Sequence, residues 1–174
     1  MLPITIQGEQ LYLLPEKAVY WPAQKTIILS DLHWGKAGHF RKHGIAIPAN
    51  AQHADEAKLS ALVRSHNAER LIVAGDMFHS VQNKEVDSFS LWRTQHSQLS
   101  IDLVMGNHDI LPEASYTLYG IALHEGTLDA GPFVFCHDEL CEPEKFYMHG
   151  HIHPSITLHG RGRTSMRLPC FCQD

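Results

Sequence analysis

The sequence predicts an α/β protein, in which a short β-meander leads into a parallel core that is followed by antiparallel strands. Three observations carry this. The apolar runs Thr26–Leu29, Leu71–Ala74 and Ile101–Met105 have the length of strands and stop at polar turns, as buried strands do. The stretches between them, residues 51–67 and 83–98, repeat apolar residues at helical spacing. Strand, helix, strand, helix, strand with crossovers of this length means parallel neighbours and right-handed connections.

Taken in order, Ile4–Ile6, Leu11–Leu14 and Ala18–Trp21 are short β-rich runs, the first two separated by a turn at Gly8, and read as the meander. Thr26–Leu29 is a central strand that ends at Asp31-Leu32-His33. Residues 34–50 contain Gly35, Gly38 and Gly44 and close at Pro48, which reads as a long loop with room for a helical turn. Loops of that length are usually functional. The first helix carries Ala51, Ala54, Leu59, Leu62, Val63 and His66 at helical spacing, and the strand after it ends at Gly75-Asp76. The second helix buries Val86, Phe89 and Trp92, and its strand ends at Gly106-Asn107-His108-Asp109. Beyond Pro112, Ile121–Leu123 and Phe133–Cys136, with a turn at Asp129–Gly131, are expected to pair antiparallel. Phe146–Met148 leads into Gly150-His151-Ile152-His153, and Ile156–Leu158 and Ser165–Leu168 flank Gly160–Arg163 as a hairpin. No repeat, low-complexity tract or linker divides the chain, so residues 1–174 are expected to form one domain.

A 44% hydrophobic, 19% charged composition is that of an ordinary globular protein. No apolar run reaches the length of a membrane span and the N-terminus lacks an export signal, so the expected setting is cytoplasmic. Cys136, Cys141, Cys170 and Cys172 form no Cys-x-x-Cys pair and are expected to be thiols, Cys136 a buried one. A net charge of −5 argues against a protein that coats nucleic acid in general. The distribution is uneven, because residues 146–173 hold Arg161, Arg163 and Arg167 and no acid, and residues 34–43 hold Lys36, Arg41 and Lys42 and no acid. Solvated surface charge and a positive mouth for a phosphate substrate both account for this. Fourteen histidines against fourteen lysines and arginines raise the prior for a metal site, since imidazole is the commonest metal ligand.

Five predicted strand ends carry polar groups: Asp31 and His33, then Asp76, then Asn107, His108 and Asp109, then His137, and last His151 and His153. Cysteine-free oxygen and imidazole ligation suits Mn, Fe, Zn or Co. A lone carboxylate such as Asp76 can bridge two ions, and two ions about 3.5–4 Å apart form a clamp for in-line displacement at phosphorus. In Asp31-x-His33 and His151-x-His153 the spacing of two turns both side chains of a pair the same way if the backbone stays extended, so that each pair serves one centre.

The ordered set Asp31-Leu-His33, Gly75-Asp76, Gly106-Asn107-His108-Asp109, His137 and Gly150-His151-Ile-His153 resembles the calcineurin-like metallophosphoesterase superfamily. The flanks Ser30–Lys36, Phe40-Arg41, Gly44-Ile45, Pro48, Gly75–Ser80, Pro154, Arg161-Gly-Arg163 and Leu168-Pro-Cys-Phe171 are similar to its bacterial DNA-ligase-associated (PdeM-type) branch, regarded as DNA-repair endonucleases or phosphodiesterases. The resemblance implies a four-layer α/β/β/α sandwich of mixed sheets, with a further strand or two usual beyond the Leu-Pro-Cys-Phe block. It implies two divalent ions, usually Mn, one on Asp31, His33, Asp76 and His153 and the other on Asp76, Asn107, His137 and His151. It implies that His108 stabilises or protonates the leaving oxygen, with Asp109 holding its imidazole. The expected activity is hydrolysis of phosphodiesters, DNA foremost, with DNA ligase or helicase partners implied by the family; a nucleotide or small-molecule phosphatase and a non-catalytic scaffold are the alternatives. Monomer and dimer are both open. Lys36, His39, Arg41, His79, Arg161 and Arg163 stand as candidate substrate contacts, beside plain readings as basic loop, loop histidine and hairpin turn.

Overall fold

The structure, a computed structural model, describes residues 1–48, 51–79, 84–138 and 145–173. Ser80, Asn83, Cys141, Asp174 and the end of the expected loop at Ala49 and Asn50 lie outside these residues.

Seven strands form one mixed sheet in sequence order: β1 (Leu2–Ile6), β2 (Glu9–Leu14), β3 (Ala18–Trp21), β4 (Thr26–Leu29), β5 (Arg70–Ala74), β6 (Ser100–Val104) and β7 (Ile121–His124). β1 to β4 pair antiparallel, and β4 to β7 pair parallel through crossovers that contain the helices. The helices are α1 (Lys36–Lys42), α2 (Ala51–Ser65), α3 (Lys84–Gln95) and α4 (Glu113–Leu118). Three further strands form a second sheet in the order β10 (Phe146–His149), β9 (Phe133–Cys136), β8 (Thr127–Ala130), and β11 (Ser155–His159) pairs with β12 (Ser165–Pro169) in a two-stranded ribbon.

Alternation along the strands splits the core in two. Ile27, Leu71, Val73, Ile101 and Leu103 point to the helices, against Leu59, Leu62, Val63, Val86, Phe89, Trp92 and Tyr116. Ile28, Ile72 and Val104 point the other way and pack with Leu11 and Trp21 against Phe133 and Phe135 of the second sheet. The layers among the described residues are therefore helices, large sheet, small sheet.

Three expectations change. Residues 36–42 are a helix of seven residues and not only a turn within a loop. β7 was expected to pair antiparallel but joins β6 in parallel, because α4, which the sequence reading missed, returns the chain across the sheet. Its signal was Pro112 followed by Glu113, a proline and an acid at a helix start. β10 also pairs with β9 in parallel, and only β8–β9 and β11–β12 are antiparallel beyond Pro112.

Candidate metal centre

Parallel pairing aligns the carboxyl ends of β4, β5 and β6, and separately those of β9 and β10. Asp31 and His33 follow β4, Asp76 follows β5, Asn107 and His108 follow β6, His137 follows β9, and His151 and His153 follow β10. The loops after β4 and β5 are laced together by backbone hydrogen bonds. The amides of Asp31, His33 and Trp34 donate to the carbonyls of Gly75, Asp76 and Met77 at 3.0, 2.9 and 2.8 Å, and the His79 amide returns to Trp34 at 3.0 Å. Trp34, Met77 and Phe78 are buried and give these loops a rigid floor.

At this edge the side chains meet. Asp31 Oδ1 lies 3.2 Å from His153 Nε2, and Asp31, His33 and His153 offer ligand atoms within 4.8 Å of one another. His137 Nε2 lies 3.1 Å from Asn107 Oδ1, 3.1 Å from His151 Nδ1 and 3.6 Å from Asp76 Oδ1. Asp31, Asp76 and His137 make a third such group, which joins the first two. Asp138, passed over in the sequence, completes a group with His137 and His151; its only sequence signal was its place beside His137. All seven candidate ligands thus fall into one connected cluster.

The backbone achieves this differently from the extended geometry expected. Asp31, His33, Asp76, His151 and His153 all have left-handed φ, between 44° and 62°. For a residue other than glycine such a conformation costs on the order of 1–3 kcal/mol and persists only where the surroundings over-determine it. The members of the second pair consequently separate, with His151 beside His137 and His153 beside Asp31. Glycines make the approach possible. A Cβ on Gly75 would stand 1.9 Å from His137 Nδ1, and one on Gly106 would stand 2.3 Å from Asp76 Oδ1.

His137 tests whether a cation fits. Its Nδ1 lies 3.3 Å from the Ala74 carbonyl, which calls for the N–H on that side. Its Nε2 faces Asn107 Oδ1, Asp76 Oδ1 and His151 Nδ1. A buried imidazole nitrogen that faces a carboxylate, an amide oxygen and a second imidazole belongs to a ligand set that hard-to-borderline divalent ions accept. Burial, reinforced by the Lys36 ammonium, pushes His33 down to about 4 and so keeps it in the neutral form that ligates.

Around the cluster stands a second group of rings. The His79 ring stacks on His108 at 5.0 Å and reaches within 3.5 Å of His33, nitrogen to nitrogen. His39 of α1 meets His79 edge-on at 5.0 Å, and Phe40 lies 5.7 Å from it. Burial, then Lys36 and the neighbouring His108 and His39, pushes His79 down to about 4.

One expected role is revised. Asp109 does not hold the His108 imidazole. It is buried, and its two oxygens accept the amides of Phe78 at 3.0 Å and Gly106 at 2.9 Å, which ties the loop after β6 to the loop after β5. Burial pushes its carboxyl above the usual range, and those amide bonds restrain the rise. What fixes the His108 backbone is Asp76, whose Oδ1 accepts the His108 amide at 2.9 Å. Arg41 reaches the carbonyls of Ile47 at 3.5 Å and Pro48 at 3.2 Å and so braces its own loop. Lys36 stands beside His33 and His79, whereas Arg161 and Arg163 are exposed at the tip of the β11–β12 ribbon, away from any described contact with the cluster.

Aspartate and histidine gathered at the parallel strand ends of a mixed α/β fold form groups that could hold a metal ion. The solved structure of the Pseudomonas putida nuclease MPE is similar, with a TM-score of 0.83 and 31% sequence identity over 98% of this chain and 80% of the nuclease chain. The chain belongs to the family of that nuclease. No protein-family model matches the chain, and no curated protein matches it either.

Proposed function

We propose that this protein hydrolyses phosphodiester bonds in nucleic acid, DNA foremost, with two divalent metal ions, and that it serves DNA repair in the cytoplasm. The observation that carries the reading is the connected cluster of Asp31, His33, Asp76, Asn107, His137, His151 and His153 at one sheet edge, in a chain related to a nuclease. We place it in the calcineurin-like superfamily, in the PdeM-type branch with its four-layer sandwich, and treat residues 1–174 as one catalytic domain. Asp31, His33, Asp76 and His153 hold one ion, and Asp76, Asn107, His137 and His151 hold the other. Manganese is the proposed occupant of both. Bound ions of this kind polarise a phosphoryl oxygen and lower the pKa of water.

The chain's own groups supply the rest. His108 donates a proton to the departing oxygen, and general acid catalysis of this type contributes about 10²–10⁴-fold. Asp109 keeps the Gly106 and Phe78 amides, and with them the two loops, in register. Lys36 and His79, beside His33, face the flanking phosphates, and Arg161 and Arg163 make outer strand contacts. Partner proteins, a DNA ligase or helicase among them, belong to the same reading.

Manganese-supplemented hydrolysis of bis-p-nitrophenyl phosphate beside p-nitrophenyl phosphate tests it. Diester turnover above monoester turnover, abolished in Asp76→Ala, supports the proposal. A preference for the monoester would transfer the protein to the phosphatases.

A further inference from the structure

Two trios of donor groups in the cluster have the same composition. Asp31, His33 and His153 offer one carboxylate and two imidazoles, and His137, Asp138 and His151 offer the same, each trio with its ligand atoms within 4.8 Å of one another. Asp76 joins them through the group it makes with Asp31 and His137. Asp138 is the member to which the proposed activity gives no role. It follows His137 directly beyond the end of β9, and its side chain is 75% exposed where that of Asp31 is 13% exposed.

We propose, resting on the two-ion reading, that Asp138 is a further ligand of the second ion, the counterpart of Asp31 at the first. Position carries this. Asp138 Oδ1 lies 3.7 Å from His151 Nδ1, and this same nitrogen lies 3.1 Å from His137 Nε2. A carboxylate that only orients a ligating imidazole bonds the ring nitrogen turned away from the metal. Asp138 stands instead at the nitrogen turned toward the other donors, since His137 Nε2 in turn faces Asn107 Oδ1 at 3.1 Å and Asp76 Oδ1 at 3.6 Å. Donors that share an ion through bonds of about 2.0–2.2 Å stand roughly 3–4 Å apart. A separation of 3.7 Å is therefore too long for a hydrogen bond and suits two members of one ligand set. Charge is a second ground. Without Asp138 the second ion has only the carboxylate of Asp76, which it shares with the first, and Asn107 is neutral. With Asp138 each ion has one carboxylate of its own beside the shared one, and carboxylate oxygen suits Mn.

Calorimetric titration of the metal-free whole chain with Mn²⁺ tests this in wild type, Asp138→Asn, Asp138→Ala and Asp129→Asn. Asp129 of β8 is an exposed carboxylate of the same sheet, 3.4 Å from Lys145 and opposite Val134. Its substitution removes the same charge away from the cluster. Wild type takes up two equivalents, and so does Asp129→Asn with the same affinities. Both Asp138 variants keep one equivalent at wild-type affinity and bind the other at least about tenfold more weakly, the scale seen when groups around a metal are lost. With Co²⁺ in place of Mn²⁺, the visible absorption of the weakened site shifts in Asp138→Ala, as a change of donor atom requires and a change of distant charge does not. The metal-free variants melt with wild type, because the side chain they alter is exposed. Two equivalents bound by Asp138→Ala at wild-type affinity would overturn the assignment and leave the two-ion centre standing. Equal weakening in Asp129→Asn would also overturn it, by reducing Asp138 to a surface charge. A wild type that takes up no Mn²⁺ would remove the centre itself, and the role of Asp138 with it.

Discussion

A methyl group at Gly106 would stand 2.3 Å from Asp76 Oδ1 and 2.5 Å from the Asp76 amide nitrogen, so the loop after β6 has no room for a side chain there. Gly106→Ala is expected to displace Asp76 and weaken divalent-ion binding by at least about tenfold, the scale seen when groups that orient ligands are lost. Calorimetric titration with Mn²⁺ measures it, and circular dichroism confirms that the helices persist. His108 makes a different kind of prediction. p-Nitrophenolate leaves without a proton, whereas a deoxyribose oxygen does not, so His108→Ala should cut DNA cleavage by about 10²-fold or more and spare bis-p-nitrophenyl phosphate. Equal loss on both substrates would remove the general-acid role. Asp102 carries a pH prediction. Burial pushes its carboxyl up, but hydrogen bonds from Arg70 at 2.8 Å and His124 at 2.7 Å outweigh that and hold it below the ordinary range. A carboxyl depressed on folding stabilises above its unfolded pKa, and the contribution is lost as pH falls through the folded value. Asp102→Asn should therefore flatten the acid side of the stability curve, read as melting temperature against pH.

At the scale of elements, one polar tie between two helices is informative. Trp92 Nε1 of α3 donates to Ser60 Oγ of α2 at 2.9 Å, and Ser60 Oγ lies 3.1 Å from His96 Nε2. Ser60→Ala leaves a buried indole N–H without a partner, which costs about 1–3 kcal/mol, and chemical denaturation should show that loss at unchanged m-value. Much of this level was readable in the sequence. β3, β4 and β5 were visible as bounded apolar runs, and Val86, Phe89 and Trp92 declared the buried side of α3 through their spacing. The parallel pairing of β7 to β6 and of β10 to β9 was not visible, because local pattern gives a strand's existence and leaves its direction to the connection. α4 is six residues long, too short for a periodic signal, and it was the element that decided β7.

For the molecule as a whole, the order of the polar blocks along the chain was legible, and their convergence follows from the topology. β4, β5 and β6 bring Asp31, His33, Asp76 and Asn107 to one edge, and the parallel β9–β10 pair brings His137 beside His151. What the sequence reading had no means of seeing was the left-handed backbone that sends His151 and His153 to different partners, since spacing fixes direction only in an extended chain. Nor could it assign Asp109, whose oxygens are engaged by backbone amides that no sequence motif reveals. The most direct measurement of the central claim is a Mn²⁺ titration of the protein, scored in parallel for bound metal and for diester hydrolysis. Two equivalents bound, activity that follows their occupancy, and loss of both in Asp76→Ala are the predicted results. Diester hydrolysis that survives chelation, or that Asp76→Ala retains in full, would contradict the account.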